Sequence, residues 1–102
     1  MNIKIELHGE KAVMKINGNL DEFGAEEMKK AFASFDLAKV KEVVVDLGGV
    51  EIMGSSAIGK LLLFYKHLGV NNGHLQVWNL APHLHELFLE LKLNTLFTIG
   101  RG

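Results

Sequence analysis

The stretch whose reading decides the fold runs from Asp46 to Tyr65, DLGGVEIMGSSAIGKLLLFY, directly after Val43-Val44-Val45. Val43 to Leu47 is a continuous, largely β-branched run, the pattern of a strand covered on both faces. Gly48-Gly49 ends it, and the apolar-rich segment from about Ser56 to Leu68 then reads as a helix, stopped at Gly69. Strand, glycine-bearing loop and helix in that order are the repeating unit of an α/β layer. At the junction stand two adjacent serines, Ser55 and Ser56. A serine before a helix most simply caps it, its oxygen accepting from a backbone N–H of the first turn. The same position is also suited to carrying a phosphate, because the first N–H groups of a helix lack internal partners and favour negative charge.

Working towards the amino terminus, Ile3, Ile5 and Leu7 alternate with Lys4, Glu6 and His8, the period of a half-buried strand. Gly9-Glu10 offers a tight turn and Ala12 to Ile16 resumes the extended pattern, which predicts an antiparallel hairpin. Asn17-Gly18-Asn19 breaks it, and Asp21 is a good cap for a helix over about 22–34. Phe23, Met28, Phe32 and Phe35 give that helix its apolar face, and Glu26 and Lys30 an i,i+4 ion pair. Towards the carboxyl terminus, His74 to Trp78 reads as a strand, and Pro82 opens a third helix, where its missing N–H costs nothing. Leu84, Leu87, Phe88 and Leu91 form its buried stripe, and Thr95 to Ile99 a short last strand. The order is β-β-α-β-α-β-α-β: an α/β fold with a mixed sheet, parallel through its helical connections and antiparallel at the hairpin. Phe32, Val44, Leu62 and Leu87 are expected to be buried.

The whole chain, 1–102, fits one domain. Eleven basic and twelve acidic residues give a net charge of −1 with no basic block, which disfavours nucleic acid as partner. No apolar run approaches the ~20 residues that span a bilayer, and MNIKIELHGEK has no apolar signal core. An intracellular, cytoplasmic protein without membrane insertion is expected. The absence of cysteine removes disulfides, thiolate metal sites and cysteine nucleophiles.

Other constellations carry little chemistry. Gly54, Gly59 and Lys60 match G-x-x-x-x-G-K, but Leu61 replaces the hydroxyl that must hold Mg²⁺, so a nucleotide hydrolase is disfavoured. His83 and His85 point roughly 200° apart on a helix and cannot hold one ion together. His67 and His74 are separated by a loop, Asp46 closes a strand without a partner for acid–base work, and Trp78 fits strand packing. No catalytic residue, metal ligand or cofactor is expected. At 100° per residue, Ile58, Leu61, Leu62, Tyr65 and Leu68 form the stripe of the second helix that should face the sheet. Leu63 falls on the far side with Ser56, Gly59, Lys60 and His67, and Phe64 lies at the margin. Gly54, Ser55, Ser56, Gly59 and Leu63 thus make a candidate partner-binding surface, with Phe64 at its border.

Gly18, Leu20 and Asp21 at the first helix, the Val43–Leu47 strand, Met53-Gly54-Ser55-Ser56-Ala57-Ile58-Gly59 and Trp78-Asn79-Leu80-Ala81-Pro82 occur in a fairly specific order. From about Ile3 to Ile99 the chain resembles the STAS domain of bacterial anti-sigma factor antagonists. The resemblance implies a single STAS-like domain that works by binding rather than catalysis. Such antagonists bind an anti-sigma factor that is also a serine kinase, so releasing a sigma factor; the kinase phosphorylates the antagonist and a phosphatase resets it. Carried over by position, the phosphoacceptor is Ser55, with Ser56 as second choice. Two departures stand out: Gly54 occupies the place of a common aspartate, and Ala57 that of a glycine. They lend weight to an alternative, a STAS scaffold subunit that is never phosphorylated, within a sensory or lipid-transport assembly.

Overall fold

Gly9, at φ +63°, lets the chain reverse in two residues between β1 (Asn2–His8) and β2 (Lys11–Asn17), which pair antiparallel from Asn2↔Asn17 to His8↔Lys11. A φ in that range is open to glycine without steric cost. The computed structural model describes every residue from Met1 to Gly102. After the hairpin come α1 (Glu22–Ala33), β3 (Glu42–Gly49), α2 (Ser55–Val70), β4 (His74–Leu80), α3 (Pro82–Glu90), one 3₁₀ turn (Leu93–Thr95) and β5 (Thr98–Arg101). The predicted order therefore stands. The end of the chain differs in detail, since Leu93–Thr95 coils before the last strand begins at Thr98.

The five strands lie side by side in chain order, with β2 to β5 parallel. Each helical crossover therefore steps to the next strand in the same direction. Right-handed crossovers of that kind place all three helices on one face of the sheet. The register agrees: Ala12, Met14, Val43, Val45, Leu75 and Val77 align on the helix side, and all six are buried. The opposite face is left uncovered. This corrects the reading of β3 as covered on both sides: its burial alternates, with Val43, Val45 and Leu47 inside and Glu42, Val44 and Asp46 only half-buried on the open face. A run of valines indicates a strand, but which face is covered follows from strand order, a non-local property.

Twenty-four buried residues form a single apolar core containing no polar or charged side chain. Phe32 belongs to it, Leu62 packs half-buried at its edge, and Leu87 is only half-buried and not part of the cluster. Asp21 caps α1 as expected, accepting from Gly24 N at 2.9 Å. Phe23 does not join the apolar face of α1; it is 84% exposed. Glu26 pairs with Lys60 of α2 at 3.4 Å rather than with Lys30, which pairs with Glu27 at 3.6 Å. Leu84 and Phe88 anchor α3, whereas Leu91 ends that helix exposed.

The buried arc of α2 is Ala57, Leu61, Phe64 and Leu68. Ile58, Leu62 and Tyr65, expected to face the sheet, are half-buried beside it. The arc is turned because α2 packs against α1 as well as the sheet: Phe64 stacks on Phe32, ring centroids 3.9 Å apart and planes within 1°. Phe64 is thus core and not surface. The helix also continues past Gly69 to Val70, and Gly73 N donates back to Leu68 O at 2.6 Å.

Candidate functional site

Two loops meet where β2 and β3 give way to their helices. Gly18 N donates to Gly49 O at 3.0 Å, Leu20 N to Ile52 O at 2.8 Å, and Gly54 N to Leu20 O at 2.9 Å. Leu20 and Met53 form an isolated parallel bridge, and both are buried. The start of α2 is thereby tied to the start of α1.

Gly54 is held extended, at φ −84° and ψ 171°, and occupies the cap position itself. It has no side chain to cap with, so the expected serine cap is absent. Ser55 becomes the first residue of the helix, and its exposed hydroxyl makes no side-chain hydrogen bond. Ser56 is half-buried, its Oγ accepting from Lys60 Nζ at 3.1 Å. Since Lys60 also pairs with Glu26, Ser56 belongs to a bridge between α2 and α1, while Ser55 remains unengaged. Ile58 N bonds to Gly54 O at 3.1 Å. The N–H groups of Ser55, Ser56 and Ala57 precede the first intrahelical bond and face the loop end without helical partners.

The two positions at which this chain departs from the common motif are structurally unlike. A Cβ added at Gly54 would meet only Leu20 O, at 3.7 Å, which is ordinary contact, so space does not demand glycine there. Ala57 has no exposed surface, and its methyl lies in the core rather than on a partner-facing surface.

One turn further along α2, Gly59 has no atom within 4 Å of where a Cβ would stand, and Leu63, 47% exposed, lies one turn beyond it. Leu63 also borders a shallow groove of ≈ 250 Å³ between α1 and α2, floored by Phe32, Phe35 and Phe64 and edged by Lys29, Lys60 and His67. Ser55, Gly59 and Leu63 step along α2 four residues apart, and Ser56 shares the sector of Leu63, its hydroxyl engaged by Lys60. Two exposed apolar residues stand at the same end: Phe23, two residues after the Asp21 cap, and Ile52, two before Gly54. Helical spacing alone places Phe23 on the packed stripe. The buried positions at this end of α1 are Gly24 and Ala25, which leaves Phe23 directed into solvent.

The remaining candidates take structural places. His83 Nε2 lies 2.6 Å from Glu51 O, joining α3 to the loop before α2. Asp46 Oδ1 accepts from Gly48 N at 2.9 Å. Trp78 lies on the open face over Gly100, and its Nε1 donates to Gln76 Oε1 at 2.8 Å. No helix is long and apolar enough to cross a membrane.

Comparison with known proteins adds three likenesses to one family match. The family model described as "Mlab, STAS domain" matches residues 3–98. A STAS-domain containing protein of Pseudomonas aeruginosa (strain UCBPP-PA14) is 29% identical over 93 residues, covering 90% of each chain. The anti-sigma F factor antagonist of Paenibacillus polymyxa is 26% identical over 102 residues, covering 97% of this chain and 85% of that one. A solved anti-sigma factor antagonist from Mycobacterium paratuberculosis superposes with a TM-score of 0.85 at 23% identity, over 99% of this chain and 86% of the other.

Proposed function

The chain belongs to the STAS-domain family, and on that footing we propose that it is an anti-sigma factor antagonist whose binding is switched by phosphorylation of Ser55. The observation that carries the reading is the state of Ser55: an exposed hydroxyl, free of side-chain bonds, at the first position of α2. It is contiguous with the exposed Gly59–Leu63 side of the helix. Ser56 is the poorer acceptor, because its hydroxyl is half-buried and engaged by Lys60.

The chemistry follows from position. A phosphate at the start of a helix meets unpartnered N–H groups and the positive end of the helix dipole, an effect of ~0.3–1 kcal/mol when exposed. Folding is then little disturbed. Binding is disturbed far more, because about −1.5 to −2 of charge arrives within the docking surface and repels acidic groups of the partner. The partner in this reading is an anti-sigma factor with serine kinase activity, and a phosphatase restores the hydroxyl. The protein itself binds and switches without catalysing a reaction, and it takes neither metal nor cofactor.

A second reading, an unphosphorylated scaffold subunit, is favoured by Gly54, where the aspartate common in the family is missing although a Cβ would meet no clash. The two readings separate in one experiment. The tagged chain recovers its partner from lysate of the native cells, the complex is given ATP, and intact mass is measured. One added phosphate, lost in Ser55→Ala, together with weaker partner binding by Ser55→Asp at an unchanged melting temperature, supports the switch. No phosphate and undiminished binding by Ser55→Asp establish the scaffold.

A further inference from the structure

We propose that the free edge of β1 takes a second copy of this chain, strand against strand and antiparallel, with the two-fold axis at Ile5. The inference is independent of the function proposed for Ser55. β1 is the outer strand of the sheet, joined only through a hairpin, so no crossover helix lies over it. Its helix-side residues are consequently uncovered: Ile5 is 38% and Leu7 62% exposed, while Ile3 is half-buried.

The hairpin fixes which backbone groups are free. With a two-residue turn, His8 and Lys11 form the closely hydrogen-bonded pair, and bonded and non-bonded pairs alternate from there. Glu6↔Val13 and Lys4↔Lys15 are then bonded, leaving the N–H and C=O groups of Ile3, Ile5 and Leu7 directed outward. None of these groups takes part in a hydrogen bond outside the ladder.

Centring a two-fold axis on Ile5 makes Ile5 face Ile5 of the second copy, and Ile3 face Leu7. All three are outward-directed residues, so the new ladder has the correct alternation. The same register sets Lys4 opposite Glu6 on the other face, twice, at non-hydrogen-bonded positions where side chains approach most closely. Lys4 stands directly across from Lys15 within the chain, an unfavourable like-charge pair that the incoming carboxylate relieves. Edge strands are commonly protected by charge. Here the charges alternate in sign so that the edge is self-complementary. The axis is perpendicular to the sheet, so the helices of both copies lie on one side and the sheet runs on continuously. One strand edge buries far less than the roughly 800 Å² per partner of a standard interface, which makes this a weak, reversible dimer.

Sedimentation velocity over a concentration series reaching millimolar tests it on the full chain. The wild-type protein should dimerise reversibly. Lys4→Glu should raise the dissociation constant about tenfold or more, since each change is felt twice across the axis. The double variant Lys4→Glu/Glu6→Lys should restore it. Both positions are exposed, so folding is preserved and circular dichroism checks it. Because the chain has no cysteine, Ile5→Cys provides a second readout and should form a disulfide-linked dimer on mild oxidation, whereas Glu90→Cys should not. A wild-type chain that stays monomeric, a Lys4→Glu variant that dimerises as well as wild type, or a charge swap that fails to rescue would each overturn the proposal.

Discussion

Gly24 and Gly59 both sit inside helices, yet the same added methyl has opposite consequences at the two. At Gly24 a Cβ would stand 2.2 Å from Asn19 O, a backbone atom of the loop that leads into α1. Gly24→Ala should therefore destabilise by about 1–3 kcal/mol through overpacking. At Gly59 nothing lies within 4 Å, so Gly59→Ala should stabilise by about 0.5–1 kcal/mol, the ordinary helix penalty of glycine removed. Thermal melts of the two variants should move in opposite directions. If α2 docks a partner along this side, Gly59→Ala should weaken that binding while raising the melting temperature. Single residues were unevenly legible in the sequence. The Asp21 cap was plain, because an acidic residue before an amphipathic run has little else to do. The serine cap was misread because the bond from Gly54 N to Leu20 O fixes the chain one residue earlier than composition suggests. A contact between loops has no local signature.

Elements were read well in kind and less well in orientation. All three helices and all five strands are legible, the last displaced by three residues, since their patterns are local. The roll of α2 is not, for a physical reason: the helix lies between α1 on one side and the segment leading into β5 on the other, where Tyr65 meets Phe97 at 5.6 Å. Its apolar arc is wider than a sheet contact requires, and a helical wheel cannot tell which part of a wide arc is innermost. The Phe32–Phe64 stack decides it. Phe64→Ala should cost about 3–5 kcal/mol, the range of buried aromatic truncations. Leu63→Ala, one residue away and about half exposed, should cost under about 1 kcal/mol. Urea denaturation of the pair measures the contrast. Equal losses would mean that α2 is rolled as the sequence pattern alone suggested.

At the scale of the molecule, one face of the sheet is covered and the other is bare, so adjacent residues of β3 occupy different environments. Val45→Thr buries a hydroxyl among apolar neighbours and should cost about 1–3 kcal/mol. Val44→Thr on the open, half-buried face should cost well under 1 kcal/mol, threonine being a good strand former. Chemical denaturation again separates them, and comparable losses would require the open face to be covered. The one-sidedness follows from strands that neighbour each other in space as they do in sequence. That order also has a consequence in time. A ribosome releasing the chain from its amino terminus presents each strand when the preceding one is already available as a template. No strand waits for a partner still unsynthesised, so each parallel pairing closes over one crossover and never over several. The sheet can grow by accretion, one strand per crossover, at the pace of synthesis.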